Sequence, residues 1–388
     1  MNIKEKDSQY VAHTYARFPL ELVKGEGSLV WDKEGKEYID LGSGIAVSAL
    51  GSCDAGWIQA VETQLHQIQH TSNLFYTAPQ ADLAEQLCLR TGMKKVFFGN
   101  SGAEANECAI KVVRKYAAEK KGTDCYTIIT LENSFHGRTL ATLAATGQEV
   151  FHQDFLPLMQ GFAYAPANDL AAVETLCKEQ KIAAIMVELV QGEGGVLPLT
   201  AEFCQGLQKI ADEQEILLII DEVQTGNGRT GELYAYMNFG LRPDLVTTAK
   251  GLGGGLPIGA CLMGERVESV LDYGSHGSTF GGNPIAAASA LYVLSQIDEA
   301  LLKDVKEKSA YLIDRLSKAE GIQSVSGMGL MLGLETVRPA ADVIADCRAN
   351  GVLVLKAKDK VRLLPPLNIP MDLLEKAADV ICSVVKEN

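Results

Sequence analysis

Leu245-Val246-Thr247-Thr248-Ala249-Lys250-Gly251-Leu252-Gly253-Gly254-Gly255 passes from a short β-branched stretch into a lysine and then into glycines. A run of this length and composition, closed by breakers, reads as a strand covered on both faces. The lysine stands at its end, where glycine-rich neighbours leave room for a bulky group against the backbone. An amine held there out of water can act as a Schiff-base nucleophile. Taken alone, Lys250 reads more simply as a surface lysine beside a flexible turn. The glycines lack the spacing of a dinucleotide fingerprint, and Pro257 follows closely.

Similar runs recur outward from this one, at Val96–Phe98, Tyr126–Leu131, Phe162–Ala165, Ala184–Glu188, Leu217–Asp221 and Ala260–Met263, with helical stretches between them. Such alternation predicts an α/β layer around a mixed, mainly parallel sheet. Ligands of these sheets collect at the carboxyl ends of the strands. Attention therefore falls on Asn100-Ser101-Gly102, Glu132–Arg138, Glu188–Gly195, Asp221–Gln224 and Lys250. Upstream, Leu29-Val30-Trp31 and Glu37-Tyr38-Ile39 flank a turn at 32–35 and predict a hairpin. Trp57, Val61, Leu65 and Ile68 form one helical stripe over 57–68. Beyond about 285 helices give way to strands around 322–337 and 352–365, a smaller α+β domain. The expected division is 1–50 as a segment joining the small domain, 51–285 as the large domain and 286–388 as the small one.

The bulk numbers exclude several functions. A chain of 388 residues can bury a sizeable core, and its formal charge of -14 repels nucleic acid and anionic membrane alike. Its nine cysteines include no Cys-x-x-Cys pair and are odd in number, which speaks for reduced thiols rather than disulfides or zinc. His66 and His70 lie four residues apart but lack an acidic third ligand, so they read as a solvated helix face and no metal is expected. The polar start and the shortness of the apolar runs predict a soluble cytoplasmic protein without a signal peptide or membrane span.

Asp221 gives Lys250 its meaning. It ends the apolar run Ile216–Ile220, and a buried carboxylate needs a partner. It could cap the next helix. A protonated pyridine nitrogen would also serve, and the pairing would keep that ring cationic and electron-withdrawing. Ser101 follows a strand and opens a helix with a Ser-x-x-Glu capping signature. The same free amides and helix dipole make a phosphate site. Gly99-Asn100-Ser101-Gly102-Ala103 comes close to the hydrolase elbow Gly-x-Ser-x-Gly but fails at Ala103. Phe135 could stack on a flat cofactor and Arg138 could fork onto a carboxylate. Arg362, before Leu363-Leu364-Pro365-Pro366-Leu367, is a second carboxylate clamp candidate.

Together these motifs resemble the class III aminotransferases of pyridoxal-phosphate (PLP) fold type I, most closely the acetylornithine, ornithine and succinylornithine group. The matching stretches are Asn100–Glu107, Ser134–Thr139, Glu188–Gly195, Ile220–Gly231, Asp244–Gly259 and His276–Pro284, with Gly25–Asp40 upstream and Arg362–Leu367 downstream. The resemblance implies that Lys250 carries the cofactor as a Schiff base and shuttles the proton. It implies that Asp221 pairs with the pyridinium and that Glu222, Val223 and Gln224 belong to the cofactor site. Ser101, Gly102 and Ala103 would cradle the phosphate, and Phe135 would cover one ring face. Thr279 would reach the phosphate of a neighbouring subunit and Ser278 would lie by the substrate, which implies a homodimer with shared active sites. Arg138 would hold the substrate carboxylate and Arg362 the α-carboxylate of glutamate or 2-oxoglutarate, with Glu193 neutralising Arg362 when the amino donor is bound.

One stretch departs from the family, which usually has a Gly-His-x-His-Pro-like segment near position 51. Here it is Gly51-Ser52-Cys53-Asp54-Ala55, expected to be structural. The implied reaction moves the δ-amino group of N2-acetylornithine to 2-oxoglutarate by a ping-pong mechanism, as in arginine biosynthesis. Ornithine, succinylornithine and 4-aminobutyrate are the alternative donors. Two other classes compete: a hydrolase built on Ser101, and a non-catalytic dimeric binding protein on the same fold.

Overall fold

A computed structural model of the chain describes residues 1–386. After a short N-terminal helix come β1 (Leu22–Glu26), β2 (Leu29–Asp32) and β3 (Glu37–Asp40). The predicted hairpin is β2 with β3, Val30 opposite Tyr38, and Asp32 Oδ1 accepts the turn amides of Glu34 and Lys36. The helix after it runs from Ala55 to Leu65, so Ile68 falls beyond it. Its N-cap is Asp54, which accepts from Trp57 N at 2.9 Å, and Ser52 exchanges backbone hydrogen bonds with Gly27. The departing stretch therefore starts a helix and joins it to the N-terminal strands.

The main layer is built from β4 (Lys95–Gly99), β5 (Thr127–Leu131), β6 (Phe162–Ala165) and β7 (Ile182–Val187), followed past the small ribbon of β8 (Val190–Gln191) and β9 (Leu197–Pro198) by β10 (Leu217–Asp221), β11 (Leu245–Thr248) and β12 (Gly259–Met263). The order across the seven-stranded sheet is β4-β12-β11-β10-β7-β5-β6, and β12 runs antiparallel to both its neighbours. All seven strands expected from the sequence take part. Every residue of β7, β10 and β11 is buried, because helices cover both faces of the sheet. One of these is Gly102–Lys120, which buries Ala105, Ala109, Ile110, Val113 and Ala117 on one side.

Toward the C-terminus, helices Pro284–Gln296 and Glu299–Ser317 lead into β13 (Ile322–Met328) and β14 (Met331–Thr336). β15 (Val352–Leu353), β16 (Leu355–Ala357) and β17 (Lys360–Leu363) follow. A four-stranded sheet has the order β13-β14-β17-β16, with Arg362 opposite Gly333. β15 lies outside that sheet and adds in parallel to β3, Val352 beside Ile39, so the N-terminal sheet is completed by a strand from the C-terminal part. No single helix among the described residues is long and apolar enough to cross a membrane.

Candidate active site

β10 and β11 are parallel neighbours with Asp221 in register with Thr247, so Asp221 and Lys250 emerge side by side at the carboxyl edge of the sheet. Both line a cavity of about 420 Å³. The φ of Lys250 is 43°, a left-handed conformation that L side chains avoid. Such strain persists only where the surroundings over-determine it, and it clusters at functional positions. Burial pulls the Lys250 amine below its ordinary pKa, against the opposing pull of the Glu193, Asp221 and Glu188 carboxylates.

Asp221 is held from behind. Its Oδ2 accepts from Asn106 Nδ2 at 2.8 Å and lies 2.8 Å from His136 Nδ1, while Oδ1 accepts from Val223 N at 3.0 Å. Burial disfavours the charged His136 ring, but the hydrogen bond and charge of Asp221 outweigh it and raise the imidazole pKa. Donation from His136 Nδ1 leaves Asp221 an acceptor toward the cavity. His136 and Asn106 lie within stretches the sequence singled out but had no role assigned there, because that role depends on meeting Asp221 across the fold.

The opposite end of the cavity is the start of helix Gly102–Lys120. Ser101 Oγ is its N-cap and accepts from Glu104 N at 3.2 Å. The Glu104 carboxylate turns back to Asn100 N at 2.5 Å rather than to the cap's own amide, a variant of the expected capping box. The amides of Gly102 and Ala103, at the first two positions of the helix, precede its internal ladder, so they remain for an anion. Gly102 is required here, since a Cβ would come within 2.6 Å of Val223 Cγ1.

Phe135 and Arg138 line the same cavity. The Arg138 guanidinium lies 4.1 Å from the Phe151 ring centroid and 5.5 Å from that of Phe135. Glu188, which opens the stretch Glu188–Gly195 but had no role assigned from the sequence, accepts from Phe135 N at 2.6 Å and from Gly192 N at 3.1 Å. Burial pushes its carboxyl up to about 7. Arg362 is almost wholly buried, and its NH1 donates to Glu193 Oε1 at 2.6 Å and to Gln224 Oε1 at 3.2 Å. Burial raises the Glu193 carboxyl pKa, but the charge and hydrogen bond of Arg362 more than reverse this.

Glu222 stands away from the cavity, while Ser278 and Thr279, expected to serve a site shared between subunits, lie on a loop outside the cavity of their own chain. Glu222 points to the other side of the chain from Asp221, where Oε1 accepts from Tyr236 N and Oε2 from Thr225 Oγ1. Side chains alternate along an extended segment, so the residue after a cavity-facing Asp221 faces away. Ser278 Oγ accepts from Asn100 Nδ2 at 3.2 Å and from Gly281 N at 2.9 Å, which ties it to its own loop. Thr279 is exposed on that loop. Neither lines the cavity of its own chain.

Comparison with known proteins agrees with this geometry. Residues 10–385 match the family model described as aminotransferase class-III. The acetylornithine aminotransferase of Haemophilus ducreyi is 51% identical over 387 residues, covering 99% of this chain and 98% of that protein. That of Aquifex aeolicus is 45% identical, covering 97% of this chain and 100% of its own length. Among solved structures, the ornithine aminotransferase of Toxoplasma gondii superposes with a TM-score of 0.94 at 32% identity, covering 98% of this chain and 93% of that one. The N-acetylornithine aminotransferase of Stenotrophomonas maltophilia gives a TM-score of 0.85 at 36% identity, with 97% of each chain covered.

The chain belongs to the class-III aminotransferases.

Class-III aminotransferases are PLP-dependent, and the lining of this cavity fits that cofactor. A lysine amine held below its ordinary pKa suits Schiff-base chemistry. A buried carboxylate braced on one side and open on the other suits a pyridinium, and helix-start amides beside a hydroxyl suit a phosphate. The family assignment replaces the hydrolase alternative.

Proposed function

We propose that this aminotransferase moves the δ-amino group of N2-acetylornithine to 2-oxoglutarate, alternating between two half-reactions at one site. The observation that carries this reading is the ion pair of Arg362 with Glu193, set apart from a second arginine, Arg138, that is unpaired by acid among the described residues. An acylated ornithine presents its terminal amine with one distant carboxylate. Glutamate must present its α-amine and brings two. A site serving both needs two cations, one of which can be masked, and a guanidinium neutralised by a neighbouring carboxylate meets that need.

Bound PLP supplies an electrophilic carbon for the amine and a cationic ring that draws electrons from the substrate carbon. Lys250 holds the cofactor and moves the proton at the amine-bearing carbon, for which a lowered pKa equips it. Asp221 would pair with the ring nitrogen, Val223, Gln224 and Phe135 would line the ring's place in the cavity, and Ser101, Gly102 and Ala103 would hold the phosphate. Arg138 binds the substrate carboxylate in both half-reactions. Arg362 binds the α-carboxylate of glutamate or 2-oxoglutarate once Glu193 moves aside.

We further take the enzyme to be a cytoplasmic homodimer with shared sites. Asn73 donates to the carbonyls of Ser278 and Gly281, bringing the exposed Leu74, Phe75 and Tyr76 beside the exposed Thr279 and Phe280. An apolar patch of this kind suits a second copy, to whose phosphate site Thr279 would contribute. Residues 1–50 and 286–388, joined through β3 and β15, would then move as one small domain against 51–285.

The deciding experiment offers acetylornithine, ornithine, succinylornithine and 4-aminobutyrate in turn to the PLP-loaded protein and follows the visible band in single turnovers. Fast bleaching by acetylornithine ahead of the rest supports the proposal. An equal response to ornithine moves the donor to the unacylated amino acid. Lys250→Ala should lose at least about a thousandfold in turnover, and a variant still turning over would remove the lysine from the mechanism.

A further inference from the structure

Arg229 lies in the loop after β10, eight residues beyond Asp221, and none of the roles above uses it. Its side chain is 2% exposed. No acid pairs with it among the described residues. Its NH1 donates instead to two carbonyls, Leu330 O at 3.0 Å and Pro365 O at 2.5 Å, and its own carbonyl accepts from Leu330 N at 2.9 Å. Burial pushes its pKa down to about 9. A buried cation without a carboxylate is costly, and two carbonyl hydrogen bonds offset only part of that cost. Its position suggests what the cation is retained for.

Leu330 is the residue before β14, and Pro365 stands two residues past β17. These are the paired strands that set Arg362 opposite Gly333. Arg229 therefore grips both strands at the end next to Arg362. At its other end it belongs to the loop that carries Asp221, Val223 and Gln224, and Gln224 itself touches Arg362. The grip is close: Gly329 has φ 58°, and a Cβ there would collide with the Arg229 carbonyl.

We infer that Arg229 is a positioning residue for Arg362, fixing the carboxylate clamp on β17 at its working distance from the Asp221–Gln224 loop. It touches neither substrate nor cofactor. Its two carbonyl bonds hold the small C-terminal sheet in register with the main sheet at the point where the clamp enters the site. A guanidinium presents its donors in a rigid plane and so fixes two carbonyls on different strands, whereas a lysine's rotatable ammonium holds them less firmly. This inference rests on the proposed division of labour, in which Arg362 serves the glutamate half-reaction and Arg138 serves both.

The test compares Arg229→Lys and Arg229→Met with Arg362→Ala, each loaded with PLP, in separate single-turnover half-reactions with acetylornithine and with glutamate. The Arg229 variants should raise the KM for glutamate and 2-oxoglutarate about tenfold or more, as a clamp displaced by a fraction of an ångström would. The acetylornithine half-reaction and the visible band of the bound cofactor should stay within about twofold. Equal loss in both half-reactions, or a lower melting temperature with unchanged KM values, would overturn the positioning role. If Arg362→Ala itself struck both half-reactions alike, the assignment of Arg362 would fall instead. Should the Arg229 variants not fold, Gly329→Ala disturbs the same junction while keeping the arginine, and it should show the same one-sided rise in KM.

Discussion

His136 Nδ1 and Asp221 Oδ2 lie 2.8 Å apart, with both side chains closed off from solvent. This contact raises the imidazole pKa and thereby makes stability depend on pH. A basic group whose folded pKa lies above its unfolded value of 6.5 stabilises fully below that value, and the contribution is lost as pH rises through the folded pKa. The cofactor-free protein should therefore exceed His136→Asn in stability most at about pH 6, and the margin should narrow at a clearly alkaline pH. Denaturant midpoints at both values measure it, and a margin independent of pH would mean that the ring is not protonated against Asp221.

Glu193→Gln leaves Arg362 without its countercharge and keeps the shape. Glutamate should then bind more tightly, by about tenfold for a change of about 1.4 kcal/mol. Acetylornithine should lose ground in direct competition. KM values for both donors decide this, and equal changes for the two would show that Glu193 does not mask the clamp.

Glu222 carries a different pH signature. Burial is the largest influence on its carboxyl and pushes it up to about 7, against hydrogen bonds that lower it. A raised carboxyl pKa means that the folded state takes up a proton the unfolded state has released. Stability is then present below about 4.5 and lost as pH rises through about 7. Glu222→Gln keeps an acceptor for Tyr236 N and removes the titration. It should match the parent at about pH 5 and exceed it by roughly 2–3 kcal/mol at about pH 8. Thermal melts at the two pH values would show whether the gap opens.

Phe151→Leu takes away the ring 4.1 Å from the Arg138 guanidinium while keeping apolar bulk. An exposed cation–π contact is worth about 0.5–1 kcal/mol, so KM for both donors should rise about two- to fivefold with little change in kcat. A fall in kcat alone would place Phe151 in some other role.

The sequence revealed the central sheet because two-sided burial forces continuous apolar runs, as in β7, β10 and β11. Lys250 and Asp221 were visible because each ends such a run. Partners that lie far away in the chain were not. His136 and Asn106 reach Asp221 across separations of 85 and 115 residues and carry no local pattern of their own. Glu222 went astray through its adjacency to Asp221, where alternation along the backbone should have turned it away. Arg229 was hidden because its partners are backbone carbonyls, which leave no mark on side-chain composition.

The pairing of β15 with β3 also has a consequence for biosynthesis. Val352 reaches Ile39 only after almost the whole chain has been made, so β3 leaves the ribosome as an open edge whose mate comes hundreds of residues later. During that interval the exposed ladder can pair with any passing strand, and closing so long a loop delays the correct one. The N-terminal sheet is thus complete only once the C-terminal part of the chain has been made.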